Sequence, residues 1–240
     1  GEQYPVIAEI ITQCMAAGFE NFIIADPALM LYLRQQKINC GIHLSGETAE
    51  VNRGMLEQML PFRIRRVIFH RKNSLEDMQS CIKEAGFPHE YEAFILNELC
   101  HFSGAFCNSL HCDELTHLCR VPYELGNLHK KEETDAAQKD VAETDRIQEK
   151  EGKGLPLDED GYLTGSTGCG LCALYRMKQV GITHLKLVGR GNYTDFMEKD
   201  IRQLRKALDI LEKSDNELQY QREMKASLFP DGCSQNCYYR

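Results

Sequence analysis

The chain has 240 residues, 42% of them hydrophobic and 27% charged, and a formal net charge of -8. This is globular composition with length enough for a full core, and one α/β domain spanning residues 1–240 is expected. No apolar run approaches the roughly eighteen residues of a membrane span, and the acidic balance disfavours charge-driven binding to nucleic acid. Residues Gly1 to Pro5 carry no leader pattern, so a cytoplasmic protein without membrane partners is the expectation. Gly1 in the place of Met leads us to expect a trimmed chain.

Val6, Ile7, Ile10, Ile11 and Cys14 recur at helical spacing, which predicts an amphipathic helix closed by Gly18. Asn21 to Ala25 is a short apolar run typical of a buried strand, and Asp26-Pro27 supplies a cap and a first-turn proline for the next helix. The unit then repeats. Cys40 to Leu44 is strand-like and Ser45 to Met59 helical, with Ser45 and Glu47 as capping residues; Arg66 to His70 is strand-like and Ser74 to Ala85 a capped helix. Tyr91 to Leu96 makes a fourth strand, and His184 to Val188 a fifth, followed by a helix over Asp200 to Leu211. Such alternation predicts a parallel sheet. Between the last two strands, Lys130 to Lys153 is charged and nearly free of large apolar residues, which predicts a solvated insertion.

Eleven cysteines are many for a reducing compartment, where clustered thiols serve metals or redox chemistry more often than disulfides. Cys100, Cys107, Cys112 and Cys119 follow the fourth strand, separated by six, four and six residues. Cys169 and Cys172 form a pair with two residues between them, and Cys233 and Cys237 one with three. A thiolate site can draw on all three groups, and tetrahedral sulfur ligation suits both zinc and iron. Cys14, Cys40 and Cys81 fall within helices or strands and are expected to be small apolar core residues. Glu98 ends the fourth strand, where parallel α/β folds bind ligands, and His70-Arg71 ends the third. Gly189-Arg190-Gly191-Asn192 offers backbone N–H groups and a guanidinium to a small anion. The chain contains neither an HExxH helix nor a GxSxG elbow; a thiol nucleophile such as Cys107 beside His101 or His111 is formally present.

The stretch Tyr91 to Cys107, YEAFILNELCHFSGAFC, resembles the signature of the collagenase-like peptidases of family U32. Cys119-Arg120-Val121 with Tyr123 resembles that family's later Cys-Arg and aromatic positions. Cys169 followed by Gly181 and Leu185-Lys186-Leu187-Val188-Gly189-Arg190 resembles its closing strand and Gly-Arg turn. The resemblance implies a TIM-barrel-like parallel strand-helix repeat, here the later part of a barrel with its first strands missing. It further implies a 4Fe-4S cluster on Cys100, Cys107, Cys119 and Cys169, with Cys112, Cys172, Cys233 and Cys237 as alternates. Glu98 and Arg190 become the candidate catalytic pair, and the substrate an RNA, a quinone precursor or a peptide. Oxygen-independent hydroxylation is the expected chemistry; a zinc- or thiol-dependent collagenase-like protease and a non-catalytic four-cysteine zinc module are the alternatives.

Overall fold

The computed structural model describes residues 2–48, 51–83, 90–97, 157–188 and 193–239. Helices α1 (Tyr4–Ala16), α2 (Pro27–Gln35), α3 (Arg53–Met59), α4 (Leu75–Lys83), α5 (Leu174–Val180), α6 (Thr194–Lys213) and α7 (Glu217–Leu228) surround five strands. These are β1 (Asn21–Ile24), β2 (Gly41–Leu44), β3 (Ile64–Ile68), β4 (Glu90–Leu96) and β5 (His184–Leu187). All neighbours pair in parallel, in the order β1-β2-β3-β4-β5, and the sheet curls into a half-barrel. The expected α/β repeat is therefore the fold. The expected insertion at 130–153 lies outside the described residues.

Local chemistry accounts for the helix starts. Asp26 accepts a hydrogen bond from the Ala28 amide at 2.8 Å, with Pro27 at the first position. Ser74 and Asp77 form a reciprocal capping box: the Asp77 amide donates to Ser74 Oγ and the Ser74 amide to the Asp77 carboxylate, both at 3.1 Å. Three expected boundaries move. The helix expected from Ser45 begins at Arg53, because Asn52 Oδ1 accepts from the Met55 amide; Ser45 instead closes a turn, its Oγ accepting from the Glu47 amide at 3.1 Å. The third strand shifts to Ile64–Ile68, since Ile42 of β2 pairs with Ile64, and His70-Arg71 falls in the following turn. Helix α6 starts at Thr194, six residues before the expected Asp200.

Side chains alternate across the strands. Ile42, Leu44, Val67, Tyr91, Ala93 and Ile95 point to the helices and join Met30, Leu33, Met78 and Leu174 in one core. Each fully buried side chain of this kind contributes about 1.5–3 kcal/mol. The opposite face is unusual for a parallel sheet, which is ordinarily apolar on both sides. There Arg66 donates to Glu90 at 2.9 Å and to Glu92 at 2.8 Å, and its third nitrogen lies 2.8 Å from His184 Nε2. Lys186 approaches Glu92 at 3.7 Å and lies over the Phe94 ring. The Arg66 hydrogen bond holds the Glu90 carboxyl below its ordinary value, and burial together with the Arg66 charge lowers that of His43. Among the described residues no helix is long and apolar enough to cross a membrane.

Candidate functional site

The carboxyl end of β4 is where the structure concentrates polar chemistry. Asn97, the first residue past the strand, takes a left-handed conformation with φ of 65°, a backbone that asparagine tolerates better than most residues. Its amide donates to the Gly168 carbonyl at 3.0 Å, and its side-chain amide donates to Asp200. Asp200 projects from α6 and is fully buried; it also accepts from the Tyr162 hydroxyl at 2.5 Å. Burial raises the Asp200 carboxyl above its ordinary value, against the lowering effect of both hydrogen bonds. The Tyr162 ring stacks on Phe196, with Lys199 over both rings and paired to Asp158 and Asp160. Asp200 and Tyr162 thereby hold the Asn97 side chain at the end of β4.

Beside this network lies a pocket of thiols. Cys169 bridges antiparallel to Leu96 and parallel to Cys237. Its amide donates to the Asn236 carbonyl at 2.8 Å, and the Tyr238 amide donates to the Cys169 carbonyl at 2.9 Å. Ser234 Oγ donates to Gly165 O at 2.7 Å, and Tyr239 Oη donates to Phe94 O at 2.9 Å. The segment after α7 is thus laced onto both residues 165–169 and β4. A side chain at Gly168, whose φ is 141°, would collide with the Tyr238 ring, so glycine is what allows this approach. Cys169, Cys172, Cys233 and Cys237 all line the resulting cavity of about 20 Å³, with Ala173, Phe229 and Tyr239 among its apolar walls. Burial pushes the Cys169 thiol up to about 12, and the neighbouring cysteines add to the rise. Burial also raises Cys172, while the Lys225 charge acts in the opposite sense. Among the described residues no three His, Cys, Asp or Glu side chains are already set in a metal-holding group.

Of the expected site residues, Glu98, Cys100, Cys107, Cys112, Cys119 and Arg190 lie outside the described residues, as do His101 and His111. Cys169 lies against the end of β4, and the structure brings it together with Cys172, Cys233 and Cys237. His70 and Arg71 are buried in the turn after β3, where Arg71 pairs with Glu47 at 3.2 Å and the Lys72 amide donates to His70 Nδ1. Cys40 and Cys81 are core residues as expected, and Cys14 is half-buried. The Asn97–Tyr162–Asp200 network was not visible in the sequence. An aspartate inside an amphipathic helix looks like any solvated residue until its burial is known.

No curated protein and no solved structure matches the chain. The family model that does match is the one described as Peptidase family U32; it covers residues 1–239, and the chain belongs to that family.

Proposed function

We propose that this chain is an iron-sulfur-dependent enzyme of the U32 type whose reaction centre sits at the carboxyl end of the half-barrel, next to Asn97. The observation that carries the reading is the end of β4. Asn97 is held by Gly168 and Asp200, and Glu98 and Cys100 follow within three residues, at the end of the sheet where parallel α/β folds bind ligands. Cys100, Cys107 and Cys119 would hold a 4Fe-4S cluster. The fourth ligand would be Cys169, as the family resemblance implies; it lies against the end of β4, and Cys112, Cys172, Cys233 and Cys237 are the alternates. Bound there, the cluster supplies electron transfer or Lewis acidity. Glu98 would act as a proton acceptor beside it, and Arg190 would steady an anionic group of the substrate. RNA, a quinone precursor and a peptide remain the substrate classes. Oxygen-independent hydroxylation is favoured over proteolysis because the sequence carries neither the HExxH nor the GxSxG arrangement that hydrolysis commonly employs.

The test is iron and acid-labile sulfide content with the visible spectrum, on protein purified without oxygen, beside Cys100→Ala. About four irons and four sulfides per chain, lost in the variant, is the expected result. Iron-free protein, or iron retained in Cys100→Ala, removes the reading.

A further inference from the structure

Tyr193 is a large aromatic residue in a place where neither helix formation nor packing asks for one. It stands just before the first turn of α6, where serine, threonine, aspartate or asparagine ordinarily caps a helix, and its side chain makes no capping hydrogen bond. It is also 75% exposed, so little of its ring contributes to a core. Leu187 closes β5 level with Leu96 of β4, and Tyr193 follows β5 after a short connection, at the same end of the sheet as Asn97.

The exposed ring is nonetheless held in place. Tyr193 meets Phe196 edge to face, with centroids 5.8 Å apart and planes at 88°. Phe196 stacks on Tyr162 at 4.5 Å and 19°, and the Tyr162 hydroxyl lies 3.5 Å from Asn97 Nδ2 while donating to the buried Asp200. The aromatic row therefore runs outward from the end of β4. Its inner two rings already join residue 162 to α6, and Tyr193 extends the row into solvent. A tyrosine so placed offers a flat face at small entropic cost, because it has only two side-chain torsions to order and Phe196 supports one edge. Charge limits what can lie against it. Lys199 sits 5.8 Å over the Tyr162 ring and 5.9 Å over that of Phe196, but its ammonium pairs with Asp158 and Asp160, each at 2.5 Å. Two carboxylates outweigh the cation beside the row, which disfavours a phosphate or carboxylate there. An uncharged conjugated ring meets no such opposition, and its π-face stacks on an aromatic side chain.

We propose that Tyr193, backed by Phe196 and Tyr162, is a stacking surface for an uncharged conjugated ring of the substrate, a nucleobase or the ring of a quinone precursor, and presents that ring to the carboxyl end of β4. This role rests on the iron-sulfur reading above only for the place of the reaction. Both ring classes carry the face that the row would receive, whereas the reacting group of a peptide is not a ring. Tyr193 supplies a π-face and moves no proton, so its hydroxyl is dispensable and it is a binding residue rather than a catalytic one.

The experiment measures binding by the full chain purified without oxygen, with iron content recorded on the same samples. Three probes are titrated: a short single-stranded pyrimidine oligonucleotide, a phenol bearing an alkyl chain, and a gelatin-derived peptide. Each is tested against wild type, Tyr193→Ala, Tyr193→Phe and Phe19→Ala, the last removing another exposed ring at the amino end of the sheet. Saturable binding of the oligonucleotide or the phenol is expected in wild type, about 5- to 150-fold weaker in Tyr193→Ala, and within about threefold of wild type in Tyr193→Phe and Phe19→Ala. Whichever of the two probes shows this pattern names the source of the ring. No saturable binding of either below about 1 mM, equal binding by Tyr193→Ala with native circular dichroism, an equal loss in Phe19→Ala, or binding of the peptide alone overturns the proposal. Iron-free protein that keeps Tyr193-dependent binding removes the iron-sulfur reading and leaves the stacking surface standing; iron-loaded protein without that dependence removes the stacking surface alone.

Discussion

Asp200→Ala should destabilise the chain by about 3 kcal/mol, and the structure shows why. Asp200 has no exposed surface and accepts from both the Tyr162 hydroxyl and the Asn97 amide. Truncation leaves two donors without their acceptor, each costing roughly 1–3 kcal/mol, and removal of a carboxyl whose ionisation burial opposes returns part of that cost. At about 2–4 °C per kcal/mol for a chain of this size, the melting temperature should fall by roughly 6–12 °C. Asp200→Asn keeps one acceptor and should lose only about 1 kcal/mol. Adding Tyr162→Phe to Asp200→Ala removes one stranded donor, so the double variant should be more stable than the sum of the two single changes by about 1 kcal/mol. Urea unfolding followed by far-ultraviolet circular dichroism at pH 7 gives all four values. A cost within about 0.5 kcal/mol of zero for Asp200→Ala, or strict additivity with Tyr162→Phe, would refute the argument.

Two further outcomes test other parts of the structure. Gly168→Ala forces a left-handed backbone onto a residue with a Cβ and drives that carbon into the Tyr238 ring, so it should cost at least about 2 kcal/mol. Hydrogen exchange should quicken at the Cys169 and Tyr238 amides first; unchanged protection there means that the segment after α7 is not held as described. Glu90 has its carboxyl lowered by the Arg66 hydrogen bond. A lowered folded value means stability that is present above the ordinary value of about 4.5 and lost as pH falls through the folded one. Glu90→Gln should therefore be less stable than wild type at neutral pH and converge with it on acidification, and a gap that is constant with pH would contradict the assignment.

The repeat of strand and helix was legible because its signals are local. Asp26-Pro27 and Ser74 with Asp77 announce helix starts within four residues, and apolar runs such as Asn21 to Ala25 announce strands. Ser45 misled because a serine before a helical pattern can close a turn as readily as cap a helix, and only Asn52, seven residues on, shows which occurred. At the thiol pocket the two short spacings were visible, and Cys172, Cys233 and Cys237 stood as alternates. Their convergence was not visible, since Cys172 and Cys233 are about sixty residues apart and meet only after α6 and α7 pack on each other. The charged face of the sheet was equally hidden. Arg66, Glu92 and His184 look like ordinary surface residues until parallel register sets them side by side.

The hydrogen bond from Tyr239 to Phe94 spans 145 residues of chain. During synthesis at about 5–20 residues per second, β4 waits roughly 7–30 s for the segment that seals its end. Through that interval the strands already made can pair, yet the strand end lacks Tyr239 and the cavity lacks two of its four sulfurs. The carboxyl end of β4 is thus sealed only after residues 233–239 have been made, and a nascent chain stalled before residue 233 would carry the five strands without this clasp.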